Sequence, residues 1–132
     1  MAMTERQPLT RARILAAAVE LVDASGVEAL SMRKLGAALG VEAMSLYNHV
    51  SNKDDVMNGI LDLIVREVEL PDTSLPWDEQ LRLIAHRFRG AGHAHPRIFP
   101  LFGSRPISSI EGIRRAGRCA GARGRPRGTR GR

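Results

Sequence analysis

The sequence predicts an all-α fold, and three observations predict it. Apolar residues return at three- and four-residue intervals through most of the first 90 positions, no stretch alternates like a half-buried strand, and Gly or Pro marks several of the gaps between periodic segments. Neither an internal repeat nor a Gly-rich phosphate loop is present.

Taken in order, Thr10 is a fitting N-cap for a first helix. Behind it Ile14, Leu15, Ala18, Val19 and Val22 share one face until Ser25-Gly26 supplies a stop. Ser31 can cap a second, short helix with Met32, Leu35 and Leu39 on one side, and Gly40 can take the left-handed conformation that ends it. A third helix, Glu42 to His49, turns Leu46 and Val50 inward and leaves Ala43, Ser45, Tyr47 and Asn48 elsewhere on the cylinder. Ser51 faces Asp54 three residues on, a capping-box-like start for a long fourth helix whose stripe is Val56, Met57, Ile60, Leu61, Ile64 and Val68. That helix stops before Pro71. A linker, 71–76, leads to Trp77 and a fifth helix with Leu81, Ile84, Ala85 and Phe88 as its expected buried seam. From Gly90 the pattern weakens, and Pro96, Pro100 and Pro106 leave room only for a short turn-rich piece around Ile98 to Phe102. The chain is therefore expected to divide into a three-helix head with its connecting helix, 9–69, the start of a helical second domain, 70–113, and a disordered Arg/Gly-rich tail, 114–132.

Composition narrows the function. The 132 residues carry a net charge of +6, but residues 1–113 hold 12 Lys and Arg against 14 Asp and Glu, while the tail holds eight Arg and no acid. High basicity belongs to the tail and says nothing about the helical part. No run approaches the ~20 apolar residues of a membrane span, and the N-terminus lacks a signal-peptide core, so a cytoplasmic protein is expected. Cys119, the single cysteine, excludes an internal disulfide framework and a cysteine-cluster zinc site. No nucleophile, paired carboxylate or metal set stands out, so no enzyme, cofactor or metal is expected.

Pattern, in contrast, points to duplex DNA. Two short helices, 31–39 and 42–49, joined by a tight Gly-containing turn, fit the helix-turn-helix arrangement in which the second helix enters the major groove. The third helix is too thinly apolar for an ordinary core helix, and its outward residues are small or hydrogen-bonding.

Residues 9–69, in particular "LTRARILAAAVELVDASGVEALSMRKLGAALGVEAMSLYNHVSNKDDV", resemble the N-terminal domain of TetR-type transcriptional repressors. The resemblance rests on the Ala-rich first helix ending at Gly26, Ser31 to Leu35, the Leu39-Gly40-Val41 turn, and Ser45 to Val50 leading into Asn52-Lys53. It implies a DNA-binding repressor that responds to a small-molecule inducer. It also implies that Ser31, Arg33, Tyr47, His49 and Lys53 contact phosphates and that Ala43, Met44 and Ser45 face the bases, with Met32, Lys34 and Asn48 completing the DNA-facing set. Such chemistry is sound: hydroxyl, guanidinium, imidazole, ammonium and helix N-terminal amides all donate to phosphate. Ser45 can donate or accept at a base edge, and Ala43 and Met44 can touch a thymine methyl. Tyr47 also fits a core position, Arg33 and Lys34 a solvated face, and His49 a helix C-terminus.

The stretch 76–106 resembles the start of the inducer-binding domain in the tetracycline-repressor branch. In that branch a histidine just before the equivalent of Gly103 serves the drug's magnesium; Leu101 and Phe102 stand here, so tetracycline is not expected as the inducer. His86, His93 and His95 read as ordinary helix-end or surface residues rather than metal ligands. Family members dimerise through later helices, whereas "RRAGRCAGARGRPRGTRGR" departs wholly from such a pattern and reads as a truncated or frame-shifted continuation. Dimerisation of this chain is left open on that ground. An alternative function is non-specific nucleic-acid binding through the tail arginines.

Overall fold

The first helix begins where a side-chain acceptor is available. The computed structural model describes residues 7–105, and there the extended Thr10 accepts from the Arg13 amide at 3.2 Å, satisfying a donor that the first turn of α1, Arg11–Ser25, leaves without a helical partner. Ile14, Leu15, Ala18 and Val22 form its buried face. After Gly26 a single 3-10 turn, Val27–Ala29, redirects the chain. Ser31 then caps α2, Met32–Leu39, accepting from the Lys34 amide at 3.1 Å, and Gly40 ends it at φ 68°, a left-handed conformation that glycine adopts without a Cβ penalty.

α3 is shorter than the periodicity suggests. It covers Ala43–Leu46 instead of Glu42 to His49. The reason lies in the hydrogen bonding: the Tyr47 and His49 amides donate to Met44 and Leu46 carbonyls three residues back, which tightens the chain into turns and brings Val50 into the core. α4, Lys53–Glu67, also starts differently from the expected Ser51–Asp54 pairing. Its cap is Asn52, whose side chain accepts from the Asp55 amide at 2.9 Å, while Asp55 accepts from the Ser51 amide at 2.9 Å. The cap is thus shifted by one residue, and the return bond goes to the Ser51 amide preceding it rather than to that of the cap itself.

All six residues of the predicted α4 stripe are buried. α1 packs mainly on α4 and α2, and Leu15 of α1 seats on Gly59 of α4, where a Cβ would lie 2.6 Å from the Leu15 Cδ2. α5, Trp77–Ala94, runs through Gly90 and Gly92 before the turns at 96–100 and a last short helix, α6, Leu101–Ser104. Ile98 is fully buried and closes the core from this side, with Ala91, Leu101 and Phe102 against it. Phe88, Phe99 and Phe102 form a triad with ring centroids 5.0 to 5.6 Å apart.

The expected buried seam of α5 is not buried. Leu81 is 58% exposed and Trp77 73%, Ala85 is open, and Ile84 and Phe88 are half-covered. An amphipathic stripe marks a face suited to burial but does not supply a neighbour, and here Phe99 and Phe102 cover only its Phe88 end while Leu81 and Ala85 stay open. Gln80 is the buried residue of α5; its amide donates to the carbonyls of Leu75 at 2.6 Å and Thr73 at 3.3 Å. Arg87 adds a contact to the Glu69 carbonyl at 2.6 Å.

His95, the C-cap of α5, joins three helices. Its Nδ1 lies 2.7 Å from Asp23 of α1 and its Nε2 3.2 Å from Glu67 of α4. Arg97 donates nearby to the Ala24 carbonyl. Partial burial works against the imidazolium, but the hydrogen bonds and charges of Asp23 and Glu67 outweigh it and raise the His95 pKa above its ordinary value. A raised folded-state pKa means stability that is fully present below the unfolded value and is lost as pH rises through the folded one. Thermal unfolding of the wild type should therefore show a melting temperature that falls across that window from the ordinary histidine value upward. His95→Gln should flatten that fall; an identical pH dependence in the variant would remove His95 as its source.

Candidate nucleic-acid interface

Two helices can cross at close range only where no side chain stands between them. At Gly36 in α2 a Cβ would lie 2.8 Å from the Val41 carbonyl oxygen and 3.2 Å from the Ala43 amide, so the backbone entering α3 rests directly on α2. The Val41 amide donates to the Gly36 carbonyl at 2.9 Å, fixing the turn. Leu46, fully buried, anchors α3 from below. The result is a helix-turn-helix in which α3 has its outer side free.

On that side Met44 is 75% exposed and Tyr47 46%, and Asn48 and His49 are also exposed. Ala43 and Ser45 are half-covered. Tyr47 is therefore not the core residue that its type allows. Arg33 and Lys34 are exposed on the first turn of α2, beside the capping Ser31, and Lys53 is exposed on the first turn of α4. Met32 is half-buried and packs against the core, a structural place in the first instance. Eleven candidate residues thus fall on the N-terminal turns of α2 and α4 and on the α3 segment, with no carboxylate among them but with Glu42, Asp54 and Asp55 as acidic neighbours.

Sequence reading missed one feature of this face. Arg11 makes a two-point contact to Asp55, both distances 2.8 Å, and reaches the His49 carbonyl at 3.4 Å. The Arg11 hydrogen bond, opposed by partial burial and aided by the Ser51 amide, holds the Asp55 pKa down to about 2. The one available signal was an arginine in the first turn of a helix, where the backbone dipole disfavours a cation. Among the described residues no group of three or more His, Cys, Asp or Glu side chains is arranged to hold a metal ion. No described helix is long and apolar enough to cross a membrane.

Farther along, Ala85, Phe88, Arg89, Gly92, His93 and Phe99 line an open, mainly apolar cleft of about 510 Å³. Arg89 Nε and His93 Nε2 lie 3.3 Å apart. The expected tail, 114–132, together with Cys119 and the end of the second domain from residue 106, lies outside the described residues.

This architecture defines a helix-turn-helix domain followed by a longer helical segment. Residues 14–60 match the family described as bacterial regulatory proteins, tetR family, and this segment is a domain of that family. It is 41% identical over 109 residues to an HTH-type transcriptional regulator of Saccharopolyspora erythraea, covering 82% of this chain and 46% of that protein. Among solved structures it is similar to apo ActR from Streptomyces coelicolor, with a TM-score of 0.80 and 32% identity over 88% of this chain and 56% of that one. It is also similar to BioQ in complex with its double-stranded DNA operator, with a TM-score of 0.70 and 27% identity over 89% of this chain and 73% of that one. The chain spans about half the length of the curated relatives it matches.

Proposed function

We propose that this chain is a DNA-binding transcriptional regulator of the repressor type, with no catalytic activity, acting in the cytoplasm. The observation that carries the proposal is the outward tip of α3, with Met44 and Tyr47 exposed on a segment seated against Gly36 and anchored by Leu46. Residues Ser31, Arg33, Lys34, Tyr47, Asn48, His49 and Lys53 contact phosphates on either side of the major groove, and Ala43, Met44 and Ser45 meet base edges. None of those three offers the two-point recognition of Arg or Asn, so sequence preference rests on methyl contacts and on register. Support comes from BioQ, a similar fold solved on its operator.

A small-molecule effector of unidentified structure is proposed for the cleft against Phe88 and Phe99. ActR has been solved with (S)-DNPA and with actinorhodin, and the aromatic floor here suits a planar apolar group. Two-fold pairing of the chain is proposed as the state that grips an operator, because a single α3 contacts one half-site only.

The test is binding of the purified chain to the duplex upstream of its own gene and to a scrambled duplex across a salt series. Preference for the upstream duplex is the expected result, and it should survive deletion of residues 114–132. Equal binding to both duplexes that disappears with the tail would favour the eight tail arginines as a sequence-blind grip instead. Within the head, Lys53→Ala should weaken binding to both duplexes and lower the salt slope by about one. Met44→Ala should narrow the gap between the two duplexes and leave the slope unchanged.

A further inference from the structure

Resting on the DNA-binding reading above, we infer that Arg11 and Asp55 form a positioning clamp that sets the recognition segment relative to the N-terminus of α4. Three chain ends meet at this pair. Arg11 lies in the first turn of α1, a place with no acidic residue of its own and an electrostatically poor one for a cation. Its guanidinium spans both oxygens of Asp55 at 2.8 Å, the planar two-point geometry that fixes orientation as well as distance. The same guanidinium touches the His49 carbonyl, the last turn of the α3 segment, at 3.4 Å.

Asp55 is engaged from the other side as well. One of its oxygens accepts from the Ser51 amide at 2.9 Å, and its own amide donates to the Asn52 cap. Residues 49 to 55 therefore hang on one carboxylate, and that span contains His49 and Lys53 and presents the first amides of α4. A shift of this span moves those phosphate donors relative to Met44 and Ser45, which lie before it. Arg11 is a positioning residue under this inference, because it acts through Asp55 and the His49 carbonyl rather than by touching DNA.

The charge-neutral double variant Arg11→Met/Asp55→Asn tests it. Net charge is unchanged, and Asn can still accept from the Ser51 amide. The expected result is a loss of about five- to tenfold in affinity for the upstream duplex, with unchanged affinity for the scrambled duplex and an unchanged salt slope. Wild-type affinity for the upstream duplex would overturn the clamp. So would a loss on both duplexes with a slope lower by about one, which would make Arg11 a phosphate contact. Thermal unfolding accompanies each measurement. Should the double variant fail to fold, Arg11→Lys keeps the charge but not the two-point geometry, and an intermediate loss on the upstream duplex is expected; wild-type affinity would again overturn the proposal. Failure of the wild type to prefer the upstream duplex is a separate outcome, and it would refute the DNA-binding reading itself.

Discussion

Leu46→Ala is expected to destabilise the head by about 3 kcal/mol, a typical loss for truncating a fully buried leucine when transfer and cavity terms add. The position makes the effect larger in function than in stability. α3 has four helical residues, and Leu46 is its buried one. Without it the segment that carries Met44, Ser45 and Tyr47 keeps the contact of its entry with Gly36, the burial of Val50 beyond its end and the Arg11 contact to the His49 carbonyl, but loses its own buried side chain. Urea unfolding should show a lower midpoint with an unchanged slope, and duplex binding should be lost under conditions where the variant is still mostly folded. An unchanged midpoint would mean that Leu46 is not packed as the core residue described above.

The second large effect sets two terms of opposite sign against each other. Gly36→Ala gains about 1 kcal/mol of helix propensity in α2. Against this, its Cβ would stand 2.8 Å from the Val41 carbonyl oxygen, a backbone atom that no rotamer change can move aside. Overpacking of this kind costs about 1–3 kcal/mol, and here it acts on the turn itself. We therefore expect net destabilisation of up to about 2 kcal/mol, from those same two ranges, together with a displaced α3 and weakened duplex binding. A variant more stable than the wild type would show that propensity wins and that the helices can part without harm.

How much of this was legible in the sequence depends on what a pattern can encode. Thr10, Ser31 and Gly40 act as caps where their chemistry placed them, and the faces that periodicity picked out on α1 and α4 are buried, except that Val19 is only half-covered. Local capping and amphipathicity are properties of neighbouring residues, so they survive without knowledge of the tertiary structure. The α4 cap moved from Ser51 to Asn52 because both residues can cap, and the choice fell to the frame in which Asp55 also meets Arg11. That contact spans 44 positions and has no sequence signature. The exposure of Leu81 failed for a related reason, since a stripe states which face seeks cover and not whether cover is there. His95 shows the same limit. Its carboxylate partners lie 72 and 28 residues away, so a reading confined to its own neighbourhood found none.

Of the candidate DNA-facing residues, Met44, Tyr47, Asn48, His49, Arg33, Lys34 and Lys53 are all at the surface, which is where contact requires them. Met32 is the weakest member, because its contact with the core already accounts for it. The clamp behind them went unread, although it decides where the others stand.

The single buried residue of α5 carries a mechanical consequence. Gln80 holds the carbonyls of Thr73 and Leu75, and Arg87 holds that of Glu69. The segment between α4 and α5 is consequently a stiff elbow rather than a tether. A protease needs several residues of pliable backbone to cut, and this stretch, though it lies at the surface, offers few; torque applied to α5 would be delivered to the C-terminal end of α4 instead of being absorbed between them.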